Sequence, residues 1–278
     1  MHEQDVDASK APLLDHIIEL RNRLMWASAA LFIAFIACYL VSEQIYAILM
    51  RPLVLAFDGD LTGRRMIFTA PQEAFFTYLK VSFWAAAFIS FPIIAAQIWM
   101  FVAPGLYKNE RRAFMPFLVV TPILFFLGGA MVYFLVMPLA LHFFTLFESR
   151  GTATTLPIEL ETKVSEYLSL IMKLIFAFGL CFELPVFLTL LGRAGIVTST
   201  GLAQKRKYAI VCVFVVAAVL TPPDPISQIS LALPILLLYE ISIWCVRAVE
   251  KKRAEREAAE EAELSGEKTD GDGTSGGG

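Results

Sequence analysis

Six uncharged apolar runs divide this sequence and constrain its fold more than any other feature. They are Leu24–Ser42, Val81–Tyr107, Ala113–Phe147, Leu174–Arg193 (interrupted by Glu183), Tyr208–Pro223 and Pro225–Val246 (interrupted by Glu240). A helix needs about 20 apolar residues to cross roughly 30 Å of hydrocarbon. With 57% of residues hydrophobic and only 18% charged, the chain falls outside the soluble globular class. The first run is too long for the apolar stretch of a cleavable signal and follows an acidic, polar segment, so it is expected to be a retained anchor. The third run, at 35 residues, is read as one span with a protruding end. Thr69, Pro71 and Glu73 offer helix-start signals ahead of the second.

The last two runs differ from the others. They are joined by "TPPDP", whose prolines and Asp224 force a non-helical turn. Tyr208–Leu220 gives only about 20 Å of helix at 1.5 Å per residue, less than a full crossing. The turn is therefore expected below the membrane surface, facing protein or a water-filled hollow. Lys and Arg divide 16 to 5 between the two sets of connecting segments, which predicts six spans with both termini cytoplasmic. Tyr107, Tyr208 and Trp244 would mark the cytoplasmic boundary, and Tyr46 and Tyr167 the outer one. The expected organisation is an unstructured N-terminus over 1–12, an all-α membrane domain over 13–247, and a charged, largely disordered tail over 248–278. From Glu250 onward that tail holds nine acids, read as a solvated cluster.

No enzyme signature is present: H-E-x-x-H, G-x-S-x-G and the phosphate-binding G-x-x-x-x-G-K-[ST] are all missing, and the three histidines are scattered. The four cysteines lie singly in apolar stretches and read as small buried hydrophobes, so neither a metal nor another cofactor is expected. Four stretches stand out. "LLDHIIELRNRL" is amphipathic, and Glu19 and Arg23 stand four apart, as an intrahelical ion pair would. "FVAPGLYKNERR" places Glu110 in a short basic loop. "FGLCFELPVF" puts Glu183 about 15 Å of helix from Arg193, close to mid-bilayer, where an acid is costly. Pro185 lacks the N–H that would bond the Cys181 carbonyl, so a bend is expected there. "LTPPDPISQ" is the sunken turn.

Taken in order, H-x-x-E-L-R-x-R-L, F-x-x-P-x-L-Y-x-x-E-R, F-E-x-P and L-T-P-P-D resemble the TatC family, the multi-span component of the twin-arginine protein translocase. The likeness runs from about Leu13 to Arg247. It implies a cup-like six-helix bundle with a short final hairpin in a bacterial plasma membrane, exporting folded proteins with the proton gradient. It implies that Glu19 and Glu110, with Arg21 and Phe101 nearby, bind the paired arginines of signal peptides. It also implies that Glu183, Thr221, Asp224, Gln228, Tyr133 and Pro52 form intramembrane polar or partner-docking positions. Single-span TatA and TatB subunits, the bilayer and further copies of the chain are the implied partners, with no nucleic acid. No role follows for Lys173. A proton-coupled carrier of a small solute would also hold intramembrane acids, but would normally show discontinuous helices in paired positions.

Overall fold

The computed structural model describes residues 3–57, 64–106, 111–149, 156, 160–221 and 224–271. The chain is mostly helical. In order it forms α1 (Glu3–Leu40), α2 (Ser42–Ala56), β1 (Met66–Ile67), α3 (Glu73–Leu106), α4 (Arg111–Met131), a π-helical segment (Val132–Val136), α5 (Met137–Thr145), β2 (Thr162–Lys163), α6 (Val164–Phe182), α7 (Leu184–Arg193), α8 (Ser199–Gln204), α9 (Arg206–Leu220) and α10 (Pro225–Gly271). Five stretches are long and apolar enough to cross a membrane: His16–Leu40, Glu73–Phe101, Pro116–Thr145, Val164–Arg193 and Pro225–Arg256. At 15 residues, α9 is about 22 Å long and is not one of them.

The amphipathic N-terminal stretch and the first apolar run are one helix. No Gly or Pro lies between Leu13 and Leu40 to divide them, and the helix stops only at Val41 (φ −112°, ψ 24°). Helical backbone also covers residues 3–12 and 248–271, which composition alone reads as unstructured. In α10 a Lys251–Glu255 pair at i,i+4 spacing (3.9 Å) accompanies that continuation. The long third run is a single span whose helix widens to π over Val132–Val136, just before Pro138.

Two compact units divide the chain. The larger holds Met1–Glu183 with Phe214–Leu233. In it α1 packs along α3, and α6 packs against α4 and α3. Its core centres on Phe125, stacked on Phe91 at 3.5 Å with Phe176 edge-on at 5.5 Å. Small residues let α4 and α6 approach closely. A Cβ at Gly128 would stand 2.6 Å from the Phe178 carbonyl oxygen, and one at Gly179 would stand 2.5 Å from the Phe125 ring. Large apolar side chains remain exposed along α1, as expected of a helix facing lipid tails.

One end of this unit is closed by polar contacts between two connections. β1 and β2 pair in parallel, Met66 with Thr162 and Ile67 with Lys163. Arg64 grips Glu148 with two hydrogen bonds, Nη1 to Oε1 at 2.7 Å and Nη2 to Oε2 at 2.8 Å, and lies over the Phe57 ring at 3.7 Å. Leu160 N donates to the same carboxylate at 3.2 Å, and Glu148 is held below the usual carboxylate range chiefly by the Arg64 bonds. Glu73 begins α3 by accepting from Thr69 N at 2.9 Å and from the Ser165 hydroxyl.

The smaller unit holds Leu184–Val213 with Pro234–Gly278. Three ties join its elements. Arg206 is bidentate on Glu240 (2.7 Å for both bonds), Tyr239 donates to the Leu202 carbonyl at 2.9 Å, and Ser199 donates through N and Oγ to Glu250. Glu240, an interruption in the last apolar run, is thus half of an ion pair.

Candidate functional site

Glu19 and Phe101 are brought together through a third residue. The Glu19 carboxylate accepts from Arg23 Nε at 2.9 Å and from Nη2, both on Oε1. Oε2 faces His16 Nδ1 at 4.0 Å, and the His16 ring stacks on Phe101 of α3 (centroids 4.2 Å apart, 15° between planes). Glu19 and Arg23 line a cleft of about 540 Å³, walled by Ile18, Asn22, Trp26 and Met100. The expected i,i+4 ion pair is therefore present, and it lines an open surface cleft. Arg21 is exposed on α1. Glu110 lies outside the described residues.

Pro52 and Tyr133 also meet, for a reason the sequence did not disclose. Pro52 lies inside α2, has no N–H, and so leaves the carbonyl four residues earlier, that of Ile48, without its helical donor. Tyr133 Oη donates to that carbonyl at 2.8 Å. Tyr167 Oη donates to the next one, Leu49, at 2.9 Å. Two tyrosines from α6 and the π segment thus complete the hydrogen bonding of a proline-interrupted helix.

Thr221, Asp224 and Gln228 gather at the turn before α10; Pro222 and Pro223 lie outside the described residues. Asp224 Oδ2 caps α10 by accepting from Ser227 N at 2.6 Å. Gln228 Nε2 donates to the Phe214 carbonyl of α9 at 3.2 Å, and Thr221 Oγ1 to Ala217 at 2.8 Å. Asp224 is 8% exposed and Ser227 3%. Asp224 Oδ1 and the Ser227 hydroxyl have no hydrogen-bond partner.

Glu183 lies in a one-residue break between α6 and α7, with ψ −10° and its N–H on the Leu180 carbonyl at 3.1 Å. The break falls where the missing Pro185 donor would leave the Cys181 carbonyl free. Both Glu183 carboxyl oxygens are shielded from solvent and without a hydrogen-bond partner. The Thr121 hydroxyl borders them while accepting from Trp99 Nε1 at 3.2 Å. Lys173 is exposed on α6. Among the described residues no group of three or more His, Cys, Asp or Glu could hold a metal, and the four cysteines are free.

The family described as Sec-independent protein translocase protein (TatC) matches residues 15–234. A protein of that description from Magnetococcus marinus is 54% identical over 256 residues, covering 91% of this chain and 90% of its own length. Its counterpart from Escherichia coli K12 is 39% identical over 261 residues, covering 93% and 97%. A crystal structure described as the twin arginine translocase receptor TatC superposes with a TM-score of 0.70 at 35% identity, covering 84% of this chain and 99% of that one. A second, of the same receptor in a detergent, gives 0.71 at 37% identity.

Proposed function

The chain belongs to the TatC family of Sec-independent translocase proteins, and from that premise we propose that it is the signal-peptide receptor and membrane core of a twin-arginine translocase. It exports folded proteins across a bacterial plasma membrane at the expense of the proton gradient. Its partners are twin-arginine signal peptides, single-span TatA and TatB subunits, and further copies of itself. α9 counts as a sixth, short crossing, and both termini face the cytoplasm, a reading supported by the 16-to-5 division of basic residues.

The observation that carries this reading is the state of Glu19. A guanidinium, that of Arg23, already rests on its Oε1 inside a cleft of about 540 Å³. The same carboxylate keeps Oε2 clear of that guanidinium, so an incoming arginine has an acceptor and the space to reach it. Adjacent arginines in an extended peptide point to opposite sides, so a second acid is needed, and Glu110 is the candidate. Arginine meets such acceptors through a planar donor fork that lysine lacks. Glu183, Thr221, Asp224 and Gln228 serve the single-span partners as a polar docking region rather than as catalysts.

Crosslinking of a twin-arginine peptide and its twin-lysine variant to membranes is the test. Wild type captures the first and not the second. Glu19→Ala and Glu110→Ala each weaken capture by about 1.5–3 kcal/mol, the scale of a hydrogen bond to a charged group. Equal capture of both peptides by wild type, or full capture by Glu110→Lys, rules the reading out.

A further inference from the structure

Lys173 is a cation in the interior of α6 that the proposed export role does not use. It follows Val164 by nine residues in the candidate span Val164–Arg193, about 14 Å along a helical path of about 45 Å. Headgroup to headgroup a bilayer measures about 40–45 Å, of which about 30 Å is hydrocarbon, so the Lys173 backbone lies inside the hydrocarbon. Its side chain is nonetheless exposed and has no carboxylate partner among the described residues. Glu166, two helical turns earlier on the same exposed stripe, stands 3.8 Å from Lys163 and so already has a cation. An ammonium carried toward the surface from a backbone at this depth meets the headgroup region, where an anion would compensate it.

A second feature adjoins it. Met172, Ile175 and Phe176 of α6 form one wall of an apolar cavity of about 410 Å³, closed elsewhere by Ile45, Trp84 and Phe134 among others. At 100° per residue, Lys173 stands about 60° around the helix from Phe176, on the rim of that cavity. The polar group at its lining, Tyr133 Oη, is already committed to the Ile48 carbonyl. The lining is almost wholly apolar, as a flexible hydrocarbon chain threading the space requires. Side chains of a helix lean toward its N-terminus, which tilts the Lys173 ammonium toward the nearer membrane surface.

We propose that Lys173 and the adjoining cavity form a binding site for an anionic phospholipid, the acyl chain in the cavity and the headgroup phosphate on the Lys173 ammonium. Charge fixes the class of lipid: a zwitterionic headgroup brings its own cation, and an anionic one does not. The site is independent of the peptide-binding cleft, since Glu19 and its neighbours take no part.

Native mass spectrometry of the full chain, released from micelles doped with equal phosphatidylglycerol and phosphatidylcholine of identical chains, reads the preference directly. Wild type retains the anionic lipid at least fivefold over the zwitterionic one. Lys173→Arg keeps that ratio and Lys173→Gln brings it near one. Ala130→Leu, which narrows the cavity, lowers retention of both lipids. Melting temperatures of the Lys173 variants stay within a few degrees of wild type, because the residue is exposed. Equal retention by wild type, or an unchanged ratio in Lys173→Gln, overturns the proposal. Lys173→Gln that leaves lipids untouched but abolishes crosslinking to a single-span subunit would assign the ammonium to a partner carboxylate instead.

Discussion

Tyr133→Phe removes one oxygen atom and, by the geometry found here, strands a backbone carbonyl. The Ile48 carbonyl receives no helical N–H because residue 52 is proline, and Tyr133 Oη at 2.8 Å is its substitute donor. The bond is exposed at the protein surface, and where lipid rather than water covers that surface its loss costs about 1–3 kcal/mol, the range for an unsatisfied polar group. Pro52→Ala returns the N–H that α2 lacks. Tyr133→Phe on that background then removes a redundant bond and costs about 0.5–1 kcal/mol. The two substitutions are thus expected to couple by about 1 kcal/mol or more in a double-mutant cycle.

Pro52→Ala alone also thins a buried position, so its own sign is set by two opposing effects and only the coupling is diagnostic. Unfolding in mixed micelles, followed by tryptophan fluorescence with a denaturing detergent as titrant, supplies the four free energies. Additivity within about 0.3 kcal/mol would sink the account of Tyr133 as a stand-in donor. A Tyr133→Phe protein of unchanged stability that no longer crosslinks to single-span subunits would return both residues to partner docking.

Three further outcomes are expected. Glu183→Gln keeps most export activity, because an amide still hydrogen-bonds at that depth, while Glu183→Ala weakens crosslinking to single-span subunits and spares signal-peptide capture; loss of peptide capture first would move Glu183 into the receptor site. Glu148 is held below the ordinary carboxylate range, so its contribution is present above its unfolded value of about 4.3 and is lost as pH falls through the lower folded value. Melting temperature should therefore hold from pH 8 to 6 and drop in acid, and Glu148→Gln should flatten the drop; an identical acid profile in the variant refutes this. Reporter fusions after Asp60 and Gly151 should be external, and those after Asn109, Ala203 and Glu255 cytoplasmic; an external reporter at Ala203 overturns the six-span topology.

The parts of this fold that were legible in the sequence are those that depend on neighbours along the chain. Apolar length located the five long spans, the i,i+4 spacing anticipated the Glu19–Arg23 pair, and Glu73 opens α3 where the start signals stood. Pro185 marked the break at Glu183 for the same reason: a missing N–H acts on the carbonyl four residues back. What stayed hidden depends on distance in sequence. Arg64 and Glu148 are 84 residues apart, and Tyr133 is 85 from Ile48, so no local pattern announces either contact. Nothing in the apolar runs announced α2, which carries Pro52 inside it and whose replacement donors lie on other elements. The motifs contain His16, Glu19 and Phe101, but nothing in them announced that the His16 ring stacks on Phe101.

The acids of this chain divide by whether their oxygens find donors inside it. Glu19, Glu73, Glu148, Glu240 and Glu250 each hold an arginine, a hydroxyl or a backbone N–H. Glu183 has the Thr121 hydroxyl beside its two shielded oxygens, and neither Asp224 Oδ1 nor the Ser227 hydroxyl has a hydrogen-bond partner among the described residues. These atoms are shielded from solvent, where a missing hydrogen bond is costly. A membrane domain complete in itself would be expected to satisfy its shielded carboxyls, and among the described residues those of Glu183 and Asp224 are not fully met. The unmet hydrogen-bonding capacity is then supplied from outside the described residues, by penetrating water or by polar groups on another helix. That requirement follows from the positions of four atoms, independently of any likeness to other proteins.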